Sequence, residues 1–191
     1  KKKKKKVKKI KKNSESFFNT FKCFETGFLF QLINGDRVYL RNRSEYLSKK
    51  SLDKLCTSYY YKHYLPKEND TVVCIGAELG HEAIWLKNQG SNLRYIGVEI
   101  QPYLYELLSN TFKNIENYNA CGYAIGNDNQ NLFLSSAADY TAINTDAKGC
   151  IEIHSIHWDT FLSKYLLDNI DLLQINIEGA EKYLLPMVNN F

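Results

Sequence analysis

A chain of 191 residues with 44% hydrophobic and 14% aromatic content can bury a sizeable core, which excludes disorder throughout. Ten of its 25 Lys and Arg residues lie within residues 1–12, so the rest of the chain is acidic, with 15 basic against 21 acidic side chains. Five scattered cysteines without a CxxC pair indicate a reducing compartment. Because no apolar run approaches the ~18–20 residues of a membrane span, we expect a soluble, cytoplasmic protein.

The lysine-rich start of the chain, residues 1–16, is predicted to be a disordered tail, because like charges repel each other and bury no apolar surface. Such a tail is either fully solvated or makes weak contacts with a polyanion, nucleic acid or anionic lipid, by counterion release. The chain begins with lysine and stops at Phe191 within an unfinished helical pattern. We therefore expect a fragment of a longer protein.

Residues 17–66 are predicted to form a hairpin and a helical cap in front of the main domain. The segment GFLFQLINGDRVYL, residues 27–40, holds two extended runs around Asn34-Gly35, and Asn-Gly supplies the positive φ angles of a tight turn. Apolar side chains recur at helical spacing over residues 50–65, which predicts a helix that ends before the following proline.

Residues 67–191 alternate short apolar strands with amphipathic helices, the pattern of a mostly parallel sheet covered by helices on both faces. The predicted order is strand TVVCIG, a helix over residues 81–89, strand RYIGVE, a helix over 102–114, strand YNACGYAIG, shorter strands within 132–143 and 150–156, and strand IDLLQINI. The predicted fold class is therefore α/β.

A glycine loop, CIGAELG, joins the first of these strands to its helix, and Gly76 and Gly80 permit a sharp turn close to a bound ligand. A dinucleotide fingerprint needs glycine at position 78, where Glu78 would repel a pyrophosphate, and this argues against a nicotinamide oxidoreductase. A carboxylate there attracts a cation, and S-adenosylmethionine carries an ammonium and a sulfonium group. Glu99 closes the second strand, 19 residues after Gly80, where an acid can accept hydrogen bonds from ribose hydroxyls.

Four blocks in this region, DTVVCIGAELG, GVEIQP, YAIGN and IDLLQINIEGAE, resemble the successive blocks of FkbM-type methyltransferases. The resemblance covers residues 70–185 or so. It implies a Rossmann-like class I methyltransferase fold whose last strands are missing here. It also implies S-adenosylmethionine as cofactor and methylation of a hydroxyl on a sugar or secondary metabolite, so that a small molecule or a glycan is the expected acceptor.

The resemblance further implies a set of site residues. Cofactor contacts are expected from the glycine loop, the end of the second strand and the YAIGN block: Gly76, Ala77, Glu78, Gly80, Glu99, Ile100, Ala124 and Ile125. Asn176 and Glu178 are expected to emerge from the IDLLQINI strand where cofactor and acceptor meet. Glu178 is the candidate base, or the group that orients the acceptor.

Four positions depart from the family pattern. The family usually has Asp where this chain has Cys74, Asn at Glu78, Lys at Gln174 and Asp at Asn176. All four lie near the expected site, and a thiol does not accept a hydrogen bond as a carboxylate does. The alternative hypothesis is therefore a degenerate methyltransferase-like module that binds without catalysing, held to nucleic acid or membranes by the lysine tail.

Other polar residues of this region have a structural interpretation. Glu181 falls in the first turn of the next helix, where the helix dipole favours negative charge. His154 and His157 point to opposite faces of a strand and do not converge on one ion with Asp159, so no metal is expected. His81 opens the helix after the glycine loop and is interpreted as a helix-start residue.

Overall fold

The structure is a computed structural model. It describes residues 8–9, 18–24, 27–32, 35–41, 49–128, 130–135, 143–144, 150–177 and 179–188. Two predictions made from single residues, the turn residue Asn34 and the candidate base Glu178, lie outside the described residues, and so does most of the lysine-rich tail. Within the described part of the chain, no helix has both the length and the apolar character needed to cross a membrane.

The N-terminal part forms a four-stranded antiparallel sheet, with strands in the order β1 (Lys8–Lys9), β2 (Phe18–Phe24), β3 (Gly27–Leu32) and β4 (Arg37–Leu40). The predicted hairpin is confirmed as β3 and β4, and Gly35 between them has a φ of +93°. The prediction of a disordered tail is wrong for Lys8 and Lys9, which pair with β2. Strand pairing uses backbone groups, so a lysine side chain at a sheet edge does not prevent it.

The predicted helix over residues 50–65 is shorter in the structure. It consists of α1 (Lys49–Leu55) and a π-helical turn (Cys56–Tyr60). The Tyr61 N–H donates to the carbonyl of Cys56 at 2.7 Å, a hydrogen bond that widens the last turn. The buried ring of Tyr61 stacks on Trp85 at 5.6 Å, and this contact accounts for the chain leaving the helix here.

The remaining elements follow in chain order. They are β5 (Thr71–Ile75), α2 (His81–Asn88), β6 (Arg94–Val98), α3 (Pro102–Phe112), β7 (Tyr118–Cys121), β8 (Ala124–Gly126), β9 (Gln130–Ser135), β10 (Ile143–Asn144), β11 (Cys150–His157), α4 (Trp158–Lys164), β12 (Leu172–Ile175) and α5 (Glu181–Val188).

The central sheet has the order β12-β5-β6-β7, and all of its strands are parallel. Alternate residues of each strand point to opposite faces of the sheet. Different helices cover the two faces, so neighbouring residues of a strand join different cores. Val72 and Tyr95 join a core with α2 and α3, whereas Val73 and Ile96 join a core with α4 and α5. The predicted class, α/β with a parallel Rossmann-like sheet between two helical layers, is confirmed.

The strand predicted over YNACGYAIG is two strands in different sheets. β7 belongs to the central sheet, whereas β8 belongs to a second sheet of order β10-β9-β11-β8. Gly122 separates them, and a Cβ atom at this position would lie 2.7 Å from the ring of Tyr105. The chain therefore passes this ring and then pairs with β11 instead of continuing along β6. The shorter strands predicted within residues 132–143 and 150–156 correspond to β9, β10 and β11.

The N-terminal sheet packs on the face of the central sheet that α2 and α3 cover. Phe30, Val38 and Leu40 are buried in the same hydrophobic cluster as those helices. The backbone N–H of Tyr39 donates to Oγ1 of the buried Thr111 in α3 at 3.0 Å. One side-chain hydroxyl thus connects the N-terminal sheet to the main fold.

We predict that Thr111→Val lowers the free energy of unfolding by about 1–3 kcal/mol, although the two side chains have the same shape. The substitution leaves a half-buried backbone N–H without its acceptor, and that desolvation cost is not recovered. Thr57→Val is the matched control, because the Thr57 hydroxyl lies on an exposed surface where water replaces its partner. Urea unfolding of both variants measures the difference, and equal stabilities would contradict the role of Thr111.

Candidate functional site

The glycine loop lies directly against the backbone at the end of β12. Gly76 has a φ of +87°, and a Cβ atom there would be 1.9 Å from the carbonyl oxygen of Asn176. The N–H groups of Gly76 and Ala77 both donate to the carbonyl of Val98, at 2.9 and 3.0 Å, which ties the loop to β6. The loop is therefore held on both sides, and only glycine fits at position 76.

Glu99 fixes the other side of this loop. The residue is 5% exposed, and its carboxylate accepts hydrogen bonds from the backbone N–H groups of Glu78 at 2.9 Å and Gln101 at 2.8 Å. Burial raises the pKa of Glu99, while these two hydrogen bonds favour the ionised form. A carboxylate oxygen can accept more than one hydrogen bond, so the brace does not by itself exclude a ligand hydroxyl.

The segment after β12 carries the residues expected to meet an acceptor. Asn176 is exposed, and its backbone N–H donates to the carbonyl of Ile75 at 2.8 Å. Glu181 accepts from the N–H groups of Ile177 at 2.9 Å and Gly179 at 2.7 Å. The structural interpretation of Glu181 is confirmed, because its carboxylate satisfies backbone donors at the start of α5.

A cavity of about 190 Å³ opens where the ends of β5 and β12 meet the π-helical turn. In an open parallel sheet this is the point at which strand order reverses, since β6 and β12 lie on opposite sides of β5. The lining residues come from the turn, the glycine loop, α2 and β12: Tyr59, Tyr60, Cys74, Gly76, Ala77, Glu78, Leu79, His81, Glu82, Gln174, Ile175 and Asn176.

The described inner wall of the cavity carries acidic side chains but lacks Lys or Arg side chains that would neutralise them. Glu82 is 4% exposed and accepts a 2.5 Å hydrogen bond from the hydroxyl of Tyr95. Burial raises the pKa of Glu82, and burial together with this carboxylate raises the pKa of the Cys74 thiol beside it. Oε1 of Gln174 is buried and has no hydrogen-bond partner among the described residues. The described part of the wall therefore offers hydrogen-bond acceptors to a ligand, and it contains no Lys or Arg.

The structure brings only part of the predicted cofactor set to this cavity. Gly76, Ala77 and Glu78 line it together with Asn176, and Glu99 is one hydrogen bond away through Glu78. The other predicted contacts do not line it: Gly80, Ile100, Ala124 and Ile125.

Each of these other residues has packing neighbours elsewhere. A Cβ atom at Gly80 would lie 2.7 Å from Leu108 of α3. Ile100 and Ala124 belong to the same small hydrophobic cluster, and Ile125 packs with the core under α4 and α5. Their contact with a cofactor stays a prediction.

Sequence reasoning missed Glu82 and the two tyrosines of the π-helical turn. Glu82 occupies the same helical face as Trp85 and Leu86, which are both buried. An acid on the apolar stripe of a helix is a recognisable indication of a buried charge. Tyr59 and Tyr60 gave no such indication, because the widened turn that directs them to the cavity depends on the packing of the following residue.

The two histidines of β11 make separate local contacts. His157 accepts from the N–H of Asp159 and caps α4, whereas Nδ1 of His154 lies 3.3 Å from Asn131. Among the residues the structure describes, no three His, Cys, Asp or Glu side chains are grouped closely enough to hold a metal ion. Cys56, Cys74 and Cys121, the cysteines whose side chains are described, are buried free thiols.

Comparison with known proteins identifies no family for this chain. No family model and no curated protein matches the chain, so the FkbM assignment stays a prediction. Among solved structures, the chain is similar to TYW2 of P. horikoshii in complex with MeSAdo, with a TM-score of 0.38 and 18% identity over 52% of this chain and 36% of that chain. The match thus spans about a third of TYW2, and a similarity at this TM-score does not bear on function.

We predict that Gly76→Ala lowers the free energy of unfolding by about 1–3 kcal/mol more than Gly90→Ala does. The difference is the steric cost of placing an atom in a filled space. Both glycines have φ near +85°, at +87° and +83°, so the backbone strain of alanine is similar. They differ in space, because a Cβ atom at Gly90 meets nothing within 4 Å. Urea unfolding checks this, and equal losses would show that the loop does not rest on β12.

Proposed function

We propose that this chain binds S-adenosylmethionine at the carboxyl ends of β5, β6 and β12 and transfers its methyl group to a hydroxyl of a sugar or another small molecule. The observation that carries the proposal is the charge of the cavity at the strand-order switch. Glu78 and Glu82 line it, and none of the described lining residues is Lys or Arg. Such a wall disfavours a phosphate group and favours a ligand with a positive charge.

The donor and acceptor set fits this cofactor. Glu99 retains acceptor sites for the ribose hydroxyls, and the glycine loop lets a ligand approach its backbone. The unpartnered Oε1 of Gln174 is a further acceptor on the cavity wall. When bound, the cofactor supplies a methyl group already activated by its sulfonium.

The residues of this chain have to position the acceptor and receive its proton. Displacement at a methyl group requires the attacking oxygen to be in line with the leaving sulfur, so alignment supplies much of the acceleration. Asn176, exposed at the end of β12 and lining the cavity, is suited to hydrogen-bond an acceptor hydroxyl. Glu178, two residues further on, is the proposed base, and the carboxylate of Glu181 is already engaged by backbone N–H groups.

The second candidate is a methyltransferase-like module that binds a ligand without catalysing. Cys74 favours it, because this buried thiol stands where the family that the sequence resembles usually has an acid, and its raised pKa keeps it neutral. The two candidates differ in turnover and not in fold. Binding of cofactor without methyl transfer to any hydroxyl acceptor would support the module.

Calorimetric titration with S-adenosylmethionine tests the proposed function. We expect saturable binding that Glu99→Gln weakens by about 1–3 kcal/mol, the scale of a lost charge-assisted hydrogen bond. Glu116→Gln removes the same charge at the amino end of β7, the opposite edge of the sheet, and should leave affinity unchanged. Absence of binding to the unmodified chain would overturn the proposal. An unaltered affinity in folded Glu99→Gln would remove only Glu99 from the site.

For turnover, we predict that Glu178→Gln slows methyl transfer by the ~10²–10⁴-fold typical of lost general-base catalysis, with cofactor affinity and melting temperature unchanged. Stability should not change, because Glu181 already satisfies the backbone donors at the start of α5. The measurement is a single-turnover rate against a panel of hydroxyl acceptors. A normal rate combined with a lower melting temperature would assign Glu178 to the helix start.

A further inference from the structure

Glu82 is a buried acid whose surroundings provide no described countercharge. It lies in the first turn of α2, where its carboxylate meets the Tyr95 hydroxyl and the Cys74 thiol. The titratable groups facing it come from the π-helical turn, β5, the glycine loop, β6 and β7. They are Cys56, Tyr60, Tyr61, Cys74, Glu78, Tyr95 and Tyr118.

None of these groups neutralises a carboxylate. Burial raises the pKa of the thiols and phenols, so they stay uncharged near neutral pH, and Glu78 has the same sign as Glu82. A buried carboxylate without a cation is costly, and the group avoids the cost by keeping its proton. Burial therefore raises the pKa of Glu82, which lies on the wall of a cavity that opens to ligand.

The position of Glu82 indicates what would ionise it. Cys74, at the carboxyl half of β5, contributes no charge to the cavity, and Glu82 reaches the space beside this thiol from α2. The neighbouring acceptor, Oε1 of Gln174, is also unpartnered. A ligand ammonium in this corner would find one carboxylate and one amide oxygen, which match its donors.

We propose that Glu82 is the anionic group that receives the ammonium of the ligand's amino acid chain, taking the place of an acid that β5 lacks at Cys74. This proposal rests on the proposed function and adds the recognition of the amino acid part of the cofactor. It distinguishes S-adenosylmethionine from nucleosides without that chain. A cation bound at this point stabilises the ionised carboxylate, so the pKa of Glu82 falls and Glu82 forms an ion pair with the ammonium.

Calorimetry with three ligands tests the assignment. S-adenosylmethionine and S-adenosylhomocysteine carry the amino acid chain, and 5′-methylthioadenosine lacks it. Glu82→Gln keeps the size of the side chain and an acceptor for the Tyr95 hydroxyl. We expect it to weaken the first two ligands by about 10- to 100-fold, the effect of a lost hydrogen bond to a charged group, and to leave 5′-methylthioadenosine within about twofold. Glu116→Gln is the matched control for loss of a charge.

Proton release gives a second readout that needs only the unmodified chain. Titrations in two buffers of different ionisation enthalpy should show a proton released with S-adenosylmethionine and none with 5′-methylthioadenosine.

The outcomes separate this proposal from the proposed function. Binding of S-adenosylmethionine with equal affinity in Glu82→Gln, or with the same proton release as 5′-methylthioadenosine, would overturn the role of Glu82 and leave the proposed function standing. An equal loss of all three ligands would assign Glu82 to the shape of the loop and overturn the proposal. If the unmodified chain bound none of the ligands, both would fall.

Discussion

The close approach of Gly76 to the backbone of Asn176 is the constraint on which the rest of the site depends. Because a Cβ atom would stand 1.9 Å from the Asn176 carbonyl oxygen, the loop after β5 can lie flat on the end of β12 only with glycine there. That contact places the ends of β5 and β12 around one cavity. The parallel order β12-β5-β6-β7 supplies the strand-order switch, and the residues in contact at the loop line the cavity.

Glu99 holds the glycine loop in shape through hydrogen bonds. Glu78 has a φ of +45°, an uncommon value for a residue with a side chain, and its N–H donates to Glu99. The second oxygen of the same carboxylate holds the N–H of Gln101, just before α3. One buried acid thus connects the glycine loop to the entry of α3. A group that braces the loop in this way is pre-positioned for ligand hydroxyls, because its own geometry is already fixed.

The sequence was most informative where burial is periodic and least informative where packing decides. The strands β5, β6 and β12 are short apolar runs, and their parallel arrangement could be inferred from the alternation with helices. The division of YNACGYAIG between two sheets could not, since it depends on the ring of Tyr105 against Gly122. The glycine loop and Glu99 were identifiable from spacing. Glu82 was recognisable only as an acid on the apolar face of a helix, and its importance comes from the neutral groups that tertiary packing puts around it.

The two buried acids beside the glycine loop are stabilised by different means, and this difference organises the cleft. Glu99 receives backbone N–H donors, whose dipoles compensate a negative charge within the protein itself. Glu82 has a phenol and a thiol as neighbours, which compensate a charge far less well than a cation does. The glycine loop therefore lies between two different acids. The negative charge of Glu99 is compensated by backbone donors of the fold, whereas that of Glu82 is compensated less well. A ligand that carries hydroxyls toward the first and a cation toward the second complements both, which a phosphate-bearing dinucleotide does not.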